Sequence, residues 1–410
     1  MQVSEDKVRA LDRADPLARY REAFELPEGI IYLDGNSLGP LTKTAKARVA
    51  ETVRTQWGEG LIRSWNTHDW IDLPAQVGAK IAPLIGARPG TVTVADSTSI
   101  NLFKVLAVAL RLRPERKVII SQAGNFPTDV YIAQGLADLL GAGHQLRLVE
   151  ADELAGAIDE SVAVTLLTEV NYCTGARLDM KALTTKAHAT GALAIWDLAH
   201  SAGAFPVDLA GADADFAVGC GYKYLNGGPG APSFVYVGPR HLPGLKQPLA
   251  GWLGHAAPFE FSDGYRPANS IEAMRVGTPP ILSLAALDAA LEIFGDVDLA
   301  AVKTKADRLF DIFTSEIAAN CPDLKLVTPT EPNRRGTQVS LRFPEAYAVM
   351  QALIAHGVIG DFRQPDIMRF GLTPLYLSHH DVWRAAGILG GIMAAKTWDR
   401  PDYKVRAKVV

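Results

Sequence analysis

Ala192-Leu193-Ala194-Ile195-Trp196-Asp197-Leu198-Ala199-His200 and Phe216-Ala217-Val218-Gly219-Cys220-Gly221-Tyr222-Lys223-Tyr224-Leu225 decide how this chain is read. Each begins as an apolar run of strand length and closes on polar residues, among them Asp197, His200 and Lys223. Near-continuous apolar runs mark strands covered on both faces. Similar runs occur at 91–95, 117–120, 162–167 and 234–237. Helical stretches at 101–113, 129–140 and 180–190 lie between the earlier ones. That alternation implies an α/β fold with a mostly parallel sheet flanked by helices. Ligands of such sheets bind beyond the carboxyl ends of the strands. Asp197 and Lys223 both fall there.

The chain has 410 residues, 48% hydrophobic and 21% charged, with formal net charge −4. That length buries a large core and suggests more than one domain. The composition is ordinary for a soluble globular protein. A mildly acidic balance without a Lys/Arg-rich run gives no sign of nucleic-acid binding. Cys173, Cys220 and Cys321 are odd in number and far apart. They build neither a disulfide framework nor a CxxC metal site, and a reducing cytoplasm is their simplest compartment. Residues 1–7 are polar and mixed in charge, unlike a signal peptide. No apolar run reaches the length that spans a membrane. No metal, nucleic-acid or membrane partner is therefore expected.

After about residue 280 the texture changes. Residues 281–294 and 299–319 read as helices, 324–327 and 338–343 as strands, and 350–356 and 382–397 as helices. This α+β pattern suits a smaller C-terminal domain.

Asp96-Ser97-Thr98-Ser99 follows a strand-like run and opens a helical one. Free N–H groups at a helix start, with hydroxyls beside them, attract an anion. The same residues also read as a plain N-cap. Asn125-Phe126-Pro127-Thr128-Asp129 follows the run at 117–120. Phe126 is placed either to cover one face of a flat ring or as a core residue before a Pro-started helix, with Asp129 in its first turn. Asp197, directly after Trp196, needs a partner if buried. A protonated pyridine nitrogen is one, and that ion pair makes the ring an electron sink. His200 either orients Asp197 or lies against the ring. A metal pair or a helix cap are the plainer alternatives, but no third His or Cys has suitable spacing. A lone Lys is most often a surface charge. Lys223, however, sits among Gly219, Gly221, Gly227, Gly228 and Gly230, which let backbone pass close to a ligand. A lysine of lowered pKa forms Schiff bases. The Asn226-Gly227-Gly228-Pro229-Gly230 run fails as a nucleotide phosphate loop, since no Lys-Ser/Thr follows. A Lys for a Schiff base, an Asp for the ring nitrogen and an anion site for phosphate together indicate pyridoxal 5′-phosphate (PLP).

These segments resemble the kynureninase family, PLP enzymes of aspartate aminotransferase fold type I. The resemblance begins at Tyr32-Leu33-Asp34-Gly35-Asn36-Ser37-Leu38-Gly39-Pro40 and continues through Trp57-Gly58-Glu59-Gly60 and His68-Asp69-Trp70. It takes in Phe126-Pro127-Thr128-Asp129, Asn171-Tyr172-Cys173-Thr174-Gly175, Asp197-Leu198-Ala199-His200 and Tyr222-Lys223-Tyr224-Leu225-Asn226. Gly251-Trp252, Arg275-Val276-Gly277-Thr278-Pro279-Pro280 and Arg369-Phe370-Gly371 complete it. The Asp-x-x-His and Lys elements are shared with cysteine desulfurase-like relatives. The Asp-Gly-Asn-Ser-Leu-Gly, His-Asp-Trp and Tyr-Lys-Tyr-Leu-Asn segments are more particular to the family.

The resemblance implies a large PLP-binding domain over 31–280, built on a mostly parallel, seven-stranded-type sheet. A small α+β C-terminal domain would follow over 281–410, with an N-terminal segment, 1–30, packing on it. Lys223 would carry the cofactor and Asp197 would meet the pyridine nitrogen. Thr98, Ser99 and Tyr222 would lie near the phosphate. Phe126 would stack on the ring, while Asp129, Thr168 and His200 contact the ring and its substituents. Trp252 and Thr278 would reach the phosphate of a neighbouring subunit's cofactor, so a homodimer with active sites at the subunit interface is implied. Arg369 would clamp the substrate α-carboxylate as a bidentate partner. His68 and Asn36 would lie near the aromatic end of the substrate. The implied reaction is hydrolysis of L-kynurenine, or 3-hydroxykynurenine, to anthranilate, or its hydroxylated form, and L-alanine, in tryptophan degradation. Lys223, Tyr222 and Asp197 would be catalytic. Thr278 leans towards the unsubstituted substrate.

The nearest rival is another PLP lyase, such as a cysteine desulfurase. That chemistry needs a mobile nucleophilic Cys in a C-terminal loop, and Cys321-Pro322 precedes a strand-like run instead. A non-catalytic PLP-fold module would more readily lose Lys223, Asp197 or Arg369, and all three are present.

Overall fold

The computed structural model describes residues 3–407. It divides into two units. A terminal unit holds the chain up to Thr44, Tyr172–Arg177 and the chain from Ile293 onward. A central unit holds Ala45–Asn171 and Leu178–Glu292. The sequence reading set 31–280 apart as one domain. Residues 31–44 instead belong with the C-terminal segment, because backbone pairing ties them there. β1 (Ile31–Tyr32) lies parallel to a C-terminal strand, with Ile31 opposite Val358. Asp34 bridges to Gly371.

The central unit carries one seven-stranded sheet. Its strands are β2 (Val92–Val94), β3 (Val118–Gln122), β4 (Gln145–Val149), β5 (Val162–Thr168), β6 (Leu193–Asp197), β7 (Phe216–Gly219) and β8 (Phe234–Val237). Their spatial order is β2-β8-β7-β6-β5-β3-β4. β3 to β7 pair in parallel, whereas β8 runs antiparallel to both its neighbours. β2 and β7 therefore point the same way, and their C-terminal ends share an edge with those of β3, β5 and β6. Every residue of β5, β6, β7 and β8 is buried. Burying one Val, Leu or Ile side chain contributes about 1.5–3 kcal/mol, so these runs anchor the unit. β4 was absent from the sequence reading. It is an edge strand, mostly exposed, and its Gln-Leu-Arg-Leu-Val lacks an unbroken apolar run.

Helices begin where capping chemistry starts them. Ser97 caps Thr98–Leu112, its hydroxyl accepting Ile100 N–H at 3.4 Å. Pro127 occupies the first turn of Pro127–Leu140, where its missing N–H costs nothing. Asp179 caps Met180–Ala189, accepting Ala182 N–H at 2.9 Å.

In the terminal unit, β9 (Lys325–Leu326), β10 (Gln338–Arg342), β12 (Asp361–Arg363) and β13 (Ile367–Gly371) form an antiparallel sheet in the order β12-β13-β10-β9; β11 (Val358–Ile359) is the partner of β1. The helices Leu299–Asn320, Ala346–Ala355 and His379–Ala395 complete its core. The long helix read at 281–294 is an α-helix only to Ala290 and then a 3₁₀ segment, Leu291–Asp296.

The sheet edge opposite the shared C-terminal ends is pinned by Asp215, whose side chain is fully buried. One carboxylate oxygen accepts Ala194 N–H and His188 Nε2, both at 2.8 Å. The other meets His241 Nε2 at 2.6 Å and Arg240 Nη2 at 2.6 Å. Burial alone would raise this acid; hydrogen bonds from His188 and His241 outweigh it and hold it well below the usual range. Asp215→Ala strands these donors and is expected to cost about 3 kcal/mol of unfolding free energy at pH 7. A depressed carboxylate stabilises above its unfolded pKa of about 3.9, and that contribution fades as pH falls below it. Denaturant unfolding at pH 7 and pH 3 checks both points: the gap between wild type and variant should narrow at pH 3.

Candidate active site

Register lines up the site before any side chain is considered. Thr168 pairs with Asp197, Asp197 with Val218, and Gly219 with Phe234, which also pairs with Val94. The chain leaving each of these strand ends delivers one part of the site.

After β6, Asp197 is buried, and its Oδ1 accepts Ala199 N–H at 2.8 Å. Burial raises its pKa, with the Lys223 charge opposing. After β3, Asn125 and Asp129 turn inward. Asp129 Oδ2 accepts Thr168 Oγ1 at 3.1 Å and Asn125 Nδ2 at 3.3 Å. Thr168 Oγ1 also reaches Asn125 Oδ1 at 2.6 Å. Asp129 Oδ1 is buried without a hydrogen-bond partner. Burial first, and the Asp197 charge second, push Asp129 well above the ordinary carboxylate range. Two buried carboxylates at one strand edge call for a cation.

After β7 comes Lys223. Its Nζ lies 3.0 Å from His200 Nε2 and 5.9 Å from the ring centres of both Phe126 and Tyr222. The glycines around it serve the loop's own packing. A Cβ on Gly219 would overlap the Phe234 ring, and one on Gly221 would strike Pro232 O. The ligand approach inferred from sequence is thus not what these two positions require. Tyr222 is half-buried, and burial together with Cys220 pushes its phenol further up, so it stays protonated at neutral pH.

After β2, Asp96 takes a left-handed conformation, φ 51°, and Ser97 begins the helix. Asn101 N–H to Ser97 O is the backbone bond that closes the first turn, so Thr98 and Ser99 N–H precede it. Thr98 Oγ1 lies 3.3 Å from Ser233 Oγ. The Asp96 charge beside this anion-favouring end is neutralised by Lys104, which is fully buried and 2.8 Å away. Lys104 also donates to Met274 O at 2.6 Å. Sequence reasoning passed over Lys104, although a lysine inside an apolar helical run is its signal.

These parts fit PLP: an amine, buried acids at the strand end, a partly exposed ring at Phe126 and an anion site at a helix N-terminus. The structure brings Asp129, Thr168, Asp197, His200, Phe126, Tyr222 and Lys223 together. His68 and Thr278 are exposed, and Trp252 is 40% exposed in a cluster with Phe259 and Phe261. Among the described residues, none of these three joins the hydrogen-bond network around Asp197.

Arg369 and Asn36 belong to the terminal unit. Arg369 is 1% exposed and engages Asp361 through Nε at 2.6 Å and through Nη2. The fork expected to take a substrate carboxylate bidentately is therefore closed by a protein carboxylate. Ser37 Oγ donates to Asp361 Oδ2 at 2.8 Å. Asn36 is fully buried, its amide lying where a Cβ on Gly371 would overlap it. The Asp-Gly-Asn-Ser segment thus braces the strand that carries Arg369.

A kynureninase from Pseudomonas fluorescens is 53% identical to this chain, over 98% of both lengths. One from Deinococcus radiodurans is 55% identical over 94% of this chain and 95% of its own. The chain belongs to the kynureninase family. A family model of the kynureninase C-terminal domain matches residues 302–389. A solved cysteine desulfurase from Thermococcus onnurineus has TM-score 0.78 at 19% identity, covering 96% of this chain and 100% of its own. At that identity the likeness speaks to fold alone, and the architecture is the fold type I expected from sequence. Cys321, the C-terminal thiol, is ill placed to act as a desulfurase nucleophile. Cys321 is buried, and burial and Asp323 push its thiol up to about 11. Among the described residues, no helix is long and apolar enough to cross a membrane, and no acidic, His or Cys cluster is suited to a metal.

A raised carboxylate destabilises the cofactor-free protein as pH climbs from about 3.9 towards its folded value. Asp129→Asn removes that penalty. Its cofactor-free form is expected to melt higher than wild type at pH 8, with the difference vanishing near pH 4. Melting curves across that range test this; equal melting at pH 8 would sink the mutual repulsion of Asp129 and Asp197.

Proposed function

We infer that this protein is a PLP-dependent hydrolase that cleaves the Cβ–Cγ bond of L-kynurenine, giving anthranilate and L-alanine. The full-length identity to two kynureninases carries the reading. Bound PLP supplies the electron sink at the substrate α-carbon. Lys223 Nζ holds the cofactor and moves the proton at that carbon. Asp197 keeps a proton on the pyridine nitrogen, which its burial makes worthwhile, since an unpaired carboxylate there is costly. Phe126 covers the ring, and the N-terminus at Thr98 and Ser99 takes the phosphate. Asp129 and Thr168, hydrogen-bonded to each other, would contact the ring and its substituents. Tyr222, protonated at neutral pH, gives its proton at the γ-carbonyl as water adds.

The remaining roles rest on resemblance. Arg369 serves the α-carboxylate, and His68 and Asn36 the aromatic end. The active form is a homodimer, with Trp252 and Thr278 reaching the partner's cofactor. The exposure of Trp252, Phe259 at 62% and Phe261 at 76% supports a covered surface there. A cytoplasmic location and a place in tryptophan breakdown complete the reading.

The purified protein should show a visible cofactor band that borohydride removes, and L-kynurenine should yield anthranilate fluorescence. Lys223→Ala should abolish turnover. A band without anthranilate would favour another lyase, and no band would reject PLP. Tyr222→Phe should cut kcat by 10²-fold or more with the band intact, in line with loss of a general acid; unchanged kcat removes Tyr222 from the chemistry. With Thr278 present, kcat/KM for L-kynurenine should exceed that for 3-hydroxykynurenine in parallel assays. Sedimentation should give twice the monomer mass.

A further inference from the structure

Lys104 has no exposed surface and lies in the apolar helix Thr98–Leu112, between Phe103 and Val105. An apolar side chain would pack there without the expense of desolvating a charge. Its Nζ lies 2.8 Å from Asp96 Oδ2 and gives to Met274 O at 2.6 Å. Burial pulls its pKa down, and Asp96 opposes that by charge and by hydrogen bond. All three residues belong to the central unit.

A staple for the loop after β2 is the plainer role, but the loop is held without it. Ala95 N–H gives to Ser233 O and Ser233 N–H gives to Asp96 O, each at 2.9 Å, which extends the β2–β8 pairing by backbone alone. Asn101 Nδ2 gives to Ala95 O at 2.8 Å. The left-handed conformation of Asp96, φ 51°, is one that Asn also adopts. The turn therefore needs neither a negative charge at 96 nor a positive one at 104.

What the pair adds is electrical. Asp96 stands two residues before Thr98, at a helix end whose partial positive charge favours an anion. A bare carboxylate there would oppose a phosphate dianion, since like charges disfavour each other. Lys104 cancels that carboxylate from inside the helix. With no exposed surface and two partners of its own, it acts through Asp96 rather than on a ligand.

We propose that Lys104 is a positioning residue for the phosphate end of the site: it holds the Asp96 carboxylate neutralised, so that the N–H groups of Thr98 and Ser99 meet an anion unopposed. The proposal rests on the reading of Thr98 and Ser99 as the phosphate site, and it adds a residue that touches neither cofactor nor substrate.

The test uses full-length protein freed of cofactor and titrated with PLP or with pyridoxal, which lacks the phosphate, while the cofactor band is followed. The variants are Lys104→Met, Asp96→Asn and the two combined. Lys104→Met is expected to raise the PLP Kd by roughly 10- to 100-fold, the range for losing an outer partner of a charged site. Its pyridoxal Kd should stay within about twofold of wild type, whereas a merely structural role would weaken both ligands alike. Adding Asp96→Asn to Lys104→Met removes the uncancelled charge and should return the PLP Kd to within about threefold of wild type, the non-additivity expected of a directly coupled pair. Asp96→Asn alone should bind PLP no more weakly than wild type. An unchanged PLP Kd in Lys104→Met, an equal loss for pyridoxal, or a double variant as weak as Lys104→Met overturns the proposal. Should Lys104→Met melt too low to titrate, Lys104→Gln, which keeps an N–H donor without the charge, takes its place with the same outcomes. If wild type itself binds PLP no more tightly than pyridoxal, the phosphate reading of Thr98 and Ser99 falls, and the proposal with it.

Discussion

A carboxylate at the end of a fully apolar strand is the constraint around which the central unit is arranged. Asp197 terminates β6, all of whose residues are buried. Water cannot stabilise its charge there, and nor can its single backbone donor from Ala199. A second buried acid, Asp129, makes the demand for a cation stronger. The loops beyond β3, β5 and β7 then supply what surrounds that cation: Asn125 and Thr168 to hold Asp129, and Lys223 with His200 beside it. Without a cation the site is an electrostatic liability, and on the proposed reading the bound cofactor would turn the same groups into ligands.

The opposite edge of the sheet shows how such a liability is tolerated. Asp215 is as buried as Asp197, yet it is surrounded by His188, His241, Arg240 and a backbone amide. Its burial is offset by local donors, so it is a fixed anchor for the starts of β6 and β7. Two buried aspartates, one ending β6 and one just before β7, thus have opposite pKa directions, and partners explain the difference. The terminal unit repeats the second solution, where Asp361 is satisfied by Ser37, Arg363 and Arg369.

Much of the central unit was legible because its strands are covered on both faces. Unbroken apolar runs such as 162–167 and 192–196 have no other ready use in a chain of this size. β4 escaped because an edge strand has one protected side and needs no such run. Asp197 stood out because a charge directly after an apolar run is chemically expensive, and Lys223 because it follows the next strand-like run among glycines. Lys104 did not, although its buried pairing with Asp96 settles the charge beside the helix N-terminus. That pairing spans eight residues through a left-handed turn, which no helical spacing rule anticipates. Of the glycines near Lys223, Gly219 and Gly221 have their size limit set by the Phe234 ring and by Pro232 backbone.

The sequence by itself determined the alternation of strands and helices, the acid and amine at strand ends, and the capped helix that favours an anion. These follow from local apolar runs and capping residues, which act over a few positions. Only the tertiary structure decided which strands are neighbours, and therefore that Asp129, Thr168, Asp197 and Lys223 share one edge. Only it showed that the Arg369 fork is closed by Asp361, and that residues 31–44 belong with the C-terminal segment. Strand order, register and the filling of hydrogen-bond donors are set by contacts between residues far apart in the chain, and no local pattern encodes them.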